Sequence, residues 1–287
     1  MMNLFVPYFI APHTLFKYTS LFALSCLIAG CGGSSGFSPV VTGIKVQTAQ
    51  YGKVATIYIG GKELRSYLTI DTSGGCSNPA FASNSTTETL VLNCLVSKTG
   101  TLPLVVKSAE GVAIYSTSLT IPMPQVDLVT SKGRIILELD PMAAPLSTNN
   151  FLSYVNRGFY TSTLFHRVIP SFVVQGGGYT TGLVKMTGQS AAIELETNKG
   201  LSNLRGTLAM ARTNLANSAT SEFYINLVDN LSLDYKNAAS PGYAVFGKVV
   251  QGMDVVDAIA AERTSIVGGF SDVPLADITL NLALQTN

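Results

Sequence analysis

Fourteen residues constrain the fold of this chain more than any other stretch: Phe165-His166-Arg167-Val168-Ile169-Pro170-Ser171-Phe172-Val173-Val174-Gln175-Gly176-Gly177-Gly178. A cation at Arg167 is flanked by aromatic and aliphatic residues, and a second polar head, Gln175, follows eight positions later. Three glycines then let the backbone turn without steric cost. On one extended strand Val173 and Gln175 share a face, because side chains alternate with period two. Arg167 precedes the Pro170 turn, so the chain can fold its guanidinium back over that face. The expected product is an apolar pocket with an always-charged, multi-donor group at its lip.

The 287 residues suit one large domain or two ordinary ones. Hydrophobic content of 47% against 12% charged argues for a well-filled core and against disorder. A net charge of +1 gives no electrostatic reason to expect nucleic acid as a partner. Four cysteines are too few for a disulfide-built scaffold, and the two histidines, His13 and His166, sit in no metal-ligand cluster. Metal chemistry is not expected.

Residues 1–30 read as an export signal: Lys17 supplies the positive flank, Leu21 to Ala29 a short apolar run, and Ala29-Gly30 the small residues before Cys31. The run is shorter than the ~20 apolar residues of a membrane span. Ile28-Ala29-Gly30-Cys31 resembles the lipobox of bacterial lipoproteins, in which the cysteine is lipidated and becomes the new N-terminus. The competing reading is an ordinary cleaved signal with an incidental cysteine. Residues 31–39, with Gly32-Gly33-Ser34-Ser35-Gly36, form a flexible tether. Under the lipoprotein resemblance, the lack of Asp after Cys31 implies the outer membrane, facing the periplasm.

Residues 40–124 form a separate compositional block. Apolar or β-branched runs recur at 54–59, 88–92, 102–106 and 113–119, divided by Gly/Asn/Ser clusters, as in a small antiparallel β-sandwich. It is somewhat immunoglobulin-like but has no Trp for that core, and its partner, if it docks one, is not readable. Cys76 and Cys94 are either a disulfide, which an exported compartment permits, or two buried thiols. Ile121-Pro122-Met123-Pro124 cannot readily continue a sheet or helix and marks the boundary. Beyond it, Arg134 to Leu139 reads as the first strand. Pro145 and Gly158 bracket a helix whose apolar stripe is Phe151, Leu152 and Val155. Val255, Val256 and Ile259 repeat that spacing in a second helix.

The fourteen-residue stretch is similar to the signature of the cyclophilins, the prolyl cis/trans isomerases. Collinear with it are Arg205-Gly206-Thr207-Leu208-Ala209-Met210-Ala211-Arg212, Ser218-Ala219-Thr220-Ser221-Glu222-Phe223-Tyr224-Ile225-Asn226 and Gly242-Tyr243-Ala244-Val245-Phe246-Gly247-Lys248-Val249-Val250. These resemble the bacterial branch of the family over roughly Gln125 to Gln285. The resemblance implies a mainly β fold over 125–287: a closed antiparallel eight-stranded barrel capped by two helices. It implies a substrate of proline-containing polypeptides, no cofactor, and Arg167 and Gln175 as the catalytic pair. Phe172, Val173, Met210, Ala211, Arg212, Tyr224 and Leu233 would bind substrate. Each has a plainer reading: Phe172, Val173, Met210 and Leu233 as barrel core, Arg167 as a surface ion-pair partner. The chain departs from the family at Glu222, where Gln is usual, at Ser232, where an aromatic is usual, and at Tyr243, which replaces a His. Ser232 and the extra N-terminal block keep a second function open, a proline-peptide-binding or chaperone module with little turnover.

Overall fold

The structure is a computed structural model that describes residues 38–287, which form one compact unit. The expected signal segment, Cys31 and most of the tether lie outside the described residues.

The first part of the unit holds seven strands: β1 (Val40–Gln47), β2 (Val54–Lys62), β3 (Thr69–Asp71), β4 (Cys76–Phe81), β5 (Thr89–Val96), β6 (Gly100–Lys107) and β7 (Ala113–Ile121). They make two antiparallel sheets, of order β1-β2-β5-β4 and β3-β6-β7. Period-two alternation decides what each strand buries. Ala55, Ile57 and Ile59 of β2 meet Leu90, Leu92 and Cys94 of β5, with Leu104, Val106 and Ile121 of the other sheet, in one core. Cys76 and Cys94 are disulfide-bonded, joining β4 to β5 across a separation of 18 residues.

The second part holds β8 (Gln125–Thr130), β9 (Gly133–Leu139), α1 (Pro145–Asn156), β10 (Thr163–Leu164), β11 (Arg167–Ile169), β12 (Val173–Gly176), β13 (Tyr179–Thr180), β14 (Val184–Lys185), β15 (Thr207–Met210), β16 (Phe223–Asn226), β17 (Val245–Gln251), α2 (Met253–Ala260), β18 (Thr264–Val267), β19 (Phe270–Pro274) and β20 (Thr279–Gln285). The first strand is thus β8, one strand earlier than the sequence suggests. Eleven of these strands form a single antiparallel ladder in the order β11-β12-β16-β15-β17-β9-β8-β20-β10-β13-β14.

The ladder curls, since β10 near one end and β11 at the other are two pieces of one segment, 163–169. Strand pairing does not close it, and here the structure differs from the expected eight-stranded closed barrel. Gly177 provides the physical reason. It stands in the left-handed region at φ 85°, and a Cβ there would meet Tyr160 at 2.8 Å and the Ser221 carbonyl at 2.9 Å. The chain therefore leaves the ladder at this point, and the seam retains one long hydrogen bond, Gly177 N to Leu164 O at 3.4 Å.

Inside the curl, Phe151 and Leu152 of α1 pack with Tyr160, Phe165, Phe223, Ile225 and Phe246. Helix α1 begins at Pro145, whose missing N–H costs nothing in the first turn. A distant carboxylate satisfies the orphan donors that follow: Glu196 accepts from Leu146 N at 2.9 Å and Ser147 N at 2.7 Å. Its negative charge also suits the positive end of the helix dipole. The two parts of the unit meet at Tyr51, which is buried against the second core and donates through its hydroxyl to Asn149 on α1 at 3.0 Å. Gln285 Nε2 donates to the Tyr51 carbonyl at 2.9 Å.

Reducing the Cys76–Cys94 bond releases a loop of 18 residues, which is expected to cost about 3 kcal/mol of unfolding free energy. Denaturant unfolding of residues 38–287 with and without reductant measures it. Coincident curves would show that the bond contributes nothing.

Candidate active site

Strands β11 and β12 form a hairpin in which Arg167 pairs with Gln175 and Ile169 with Val173. The turn between them is tight: Ser171 takes a positive φ of 58°, and Phe172 N donates to Ile169 O at 3.1 Å. Directly opposed residues of an antiparallel pair share a face, so this register sets Arg167 beside Gln175. Arg167 Nη1 donates to Gln175 Oε1 at 3.2 Å, and Gln175 Nε2 donates to Glu222 Oε2 at 2.8 Å. The side chain of Arg167 is 39% exposed and lies 3.9 Å from the Asp272 carboxylate. It is therefore anchored at one end of its fork and accessible at the other.

Arg167 stands on the rim of a cavity of about 300 Å³ lined by Phe172, Val173, Gln175, Ala211, Arg212, Tyr224, Leu233 and Tyr243. The floor is a small apolar cluster of Val173, Ala209, Tyr224 and Val245, with Phe172 and Leu233 packed against it. Eight of the nine residues that the sequence nominated for catalysis or substrate binding thus meet at one place.

Met210 is the exception. Ala209 pairs with Tyr224 and Met210 with Phe223, so strand alternation turns Met210 into the central core, where it is 1% exposed. The cavity has Ala209 beneath it instead.

Three further contributors to the site stand outside the residues nominated from the sequence. Tyr243 was noted only as a replacement for His, yet it packs edge-on to Tyr224 with ring centroids 5.9 Å apart. The Arg212 guanidinium lies 4.4 Å above the Tyr243 ring, and its Nε donates to Gly242 O at 2.9 Å. Glu222, noted only as a departure from the family, holds Gln175. The third contributor is a polar scaffold behind the cavity. Tyr224 donates through its hydroxyl to Asn203 Oδ1 at 2.8 Å, and Asn226 Nδ2 donates to the same oxygen at 3.2 Å. Asn230 Nδ2 donates to the Phe172 carbonyl at 2.9 Å. Asp234 accepts from Asn203 N at 2.7 Å, from Asn203 Nδ2 at 2.8 Å and from the Ser202 hydroxyl. These partners come from segments far apart in the chain, so only the fold reveals them. Ser232 is exposed beside Leu233 and does not line the cavity.

Two ionisable groups of this scaffold are shifted. Burial pushes the Tyr224 hydroxyl far above the usual phenol range, so it remains a neutral donor to Asn203. Burial also raises Asp234, but its hydrogen bonds from Ser202 and Asn203 outweigh that, and the net shift is downward. A depressed carboxylate contributes stability that is complete above its unfolded value and is lost as pH falls through the folded one. Asp234→Asn is therefore expected to lower the thermal unfolding temperature at neutral pH. The gap from wild type should narrow as pH drops below the ordinary carboxylate range of about 4. A gap that stays constant from neutral pH to pH 3 would show that ionised Asp234 does not brace the cavity.

The chemistry available to this site is binding and polarisation: an apolar floor, a charged donor on the rim, and an amide that both donates and accepts. The family model described as cyclophilin type peptidyl-prolyl cis-trans isomerase/CLD matches residues 125–282. Peptidyl-prolyl cis-trans isomerase A of Dickeya dadantii is 49% identical over 156 residues, covering 54% of this chain and 81% of the relative. An isomerase of Acinetobacter baylyi is 51% identical over 52% of this chain and 78% of its own. Peptidyl-prolyl cis-trans isomerase B of Escherichia coli is 45% identical over 53% of this chain and 93% of its own. Over residues 125–282, then, the sequence is that of a known lineage, and the chain belongs to the cyclophilin-type peptidyl-prolyl cis-trans isomerase family.

Proposed function

We propose that the chain catalyses cis/trans isomerisation of X-Pro bonds in exported polypeptides, with Arg167 as the donor and the cavity beside it as the proline pocket. The observation that supports this most is the meeting of Arg167 with the walls Phe172, Tyr224 and Leu233 in a single cavity of about 300 Å³, at the small end of the range for ligand pockets. Residues 40–124 would serve as an accessory domain. The lipobox-like Ile28-Ala29-Gly30-Cys31 supports an anchor in the bacterial envelope through lipidated Cys31, facing the periplasm.

A peptide bond resists rotation because nitrogen shares its lone pair with the carbonyl, with a barrier of ~18–20 kcal/mol. Uncatalysed X-Pro isomerisation takes roughly tens to hundreds of seconds. No bond is broken, so the site must only bind the twisted bond better than either planar form. On twisting, the proline nitrogen becomes pyramidal and accepts a hydrogen bond, which Arg167 donates only in that state. A hydrogen bond to a charged group contributes roughly 1.5–3 kcal/mol, on the order of ten- to a hundredfold in rate. The remainder comes from the dry floor, which grips the ring while the preceding carbonyl swings. Ala211 and Arg212, which line the cavity, would offer main-chain contacts to the substrate.

Arg167→Ala is expected to lower turnover of a proline peptide by roughly tenfold or more without changing thermal unfolding. Isomerisation kinetics of the soluble part test this, and full turnover in a folded variant would reject the mechanism. Cys31→Ala is expected to release the protein from membranes. Fractionation that finds variant and wild type equally membrane-bound would rule out lipidation as the anchor.

A further inference from the structure

We infer that Glu222 is a positioning residue for this reaction: it locks the Gln175 amide so that the carbonyl end receives Arg167. The inference rests on the isomerase reading above, in which Arg167 is the donor.

Glu222 lies just before β16 with its side chain 27% exposed. Its Oε2 accepts from Gln175 Nε2 at 2.8 Å and lies 3.4 Å from His166 Nε2. The space it occupies depends on Gly178, where a Cβ would stand 2.5 Å from Glu222 Oε1 and 2.6 Å from its Cδ. An ionised carboxylate accepts and cannot donate. The end of Gln175 that faces it must therefore be the NH2, which leaves Oε1 toward Arg167 Nη1 at 3.2 Å. The reverse orientation would set the amide NH2 against the guanidinium, donor facing donor, and the amide oxygen against the Glu222 carboxylate, acceptor facing acceptor. Only one of the two amide orientations satisfies both neighbours.

His166 holds the carboxylate from its other side. It is 5% exposed, and its Nδ1 is buried without a partner. A neutral imidazole carries one N–H. An N–H on Nε2 would face the carboxylate 3.4 Å away, leaving a bare lone pair on Nδ1 and no donor stranded. Burial pushes the Glu222 carboxyl up, but His166, Gln175 and Lys185 together outweigh it and hold the carboxyl below its usual value. Glu222 therefore remains an acceptor at neutral pH. The sequence of contacts His166–Glu222–Gln175–Arg167 begins and ends on adjacent residues of one segment. The direction of the Arg167 fork is thus set through Gln175 on β12 and Glu222 just before β16.

Without the clamp, the Gln175 amide samples both orientations, and Arg167 points productively for only part of the time. Glu222→Met keeps the volume and removes the acceptor, so it tests the clamp rather than the packing. It is expected to lower kcat by about three- to tenfold, the range for loss of one hydrogen bond, with KM within about twofold because the pocket walls are untouched. Glu222→Gln, which supplies an acceptor again, should recover most of the loss. In NMR spectra the Gln175 side-chain NH2 should be shifted downfield and protected from exchange in wild type, and Glu222→Met should lose both signatures. If Glu222→Met does not fold, Glu222→Ala is read in the same way. Wild-type kcat in a folded Met or Ala variant, or unchanged Gln175 NH2 signals, would overturn the inference. Arg167→Ala belongs in the same assay. Full turnover there would defeat the isomerase mechanism itself, while the Gln175 resonances would still decide whether Glu222 holds the amide.

Discussion

The edge-on contact of Phe223 with Phe151, at 5.3 Å and 83°, is the interaction on which the functional half of the molecule depends. Phe223 also meets Tyr160 and Phe165 edge-on, and aromatic pairs of this geometry add about 0.5–1.5 kcal/mol beyond their buried area. This packing ties α1 to β16 and decides which face of the strand points inward. Tyr224, the next residue, must then point the other way, into the cavity floor. A slip of one residue would exchange the two and move the whole pocket into the core.

The same alternation explains how much of the site was legible in the sequence. Arg167, Phe172, Val173 and Gln175 lie on one hairpin, where local spacing and the Pro170 turn suffice to bring them together. Ala211, Arg212, Tyr224 and Leu233 come from distant segments and were reached through resemblance. Met210 shows the limit of that route: membership of a motif says nothing of which face a strand residue takes, and the pairing of Met210 with Phe223 puts it in the core. The Asn203–Asn226–Asn230–Asp234 scaffold was not legible at all. Buried polar groups must find partners, but a single sequence does not say which.

Of the fold, the strands with strong alternation were visible in advance, as with β2, where Ala55, Ile57 and Ile59 are fully buried. Short or mixed strands were not. β4 runs Cys76–Phe81 through Asn78 and Pro79, with a shift in register against β5, and carries no period that a sequence reading could use. β10, β11, β13 and β14 are two or three residues long, below the length at which any period can be counted. These short strands lie at the two ends of the ladder, which is why its strand count and its open seam were the parts misjudged.

The first seven strands bear on function through where they touch the rest of the chain. Tyr51 reaches α1 at Asn149, Lys53 reaches Asn156 on the same helix, and the Tyr51 carbonyl is held by Gln285 of β20. A buried tyrosine with both its hydroxyl and its carbonyl satisfied is a specific seat rather than a loose collision. Yet among the described residues none before Arg167 lines the cavity. The seat is on α1 and β20, while the cavity is built from β11, β12, β16 and the loops that carry Ala211, Leu233 and Tyr243. The N-terminal sheets are therefore docked without contributing to the walls of the pocket, which the second part builds alone.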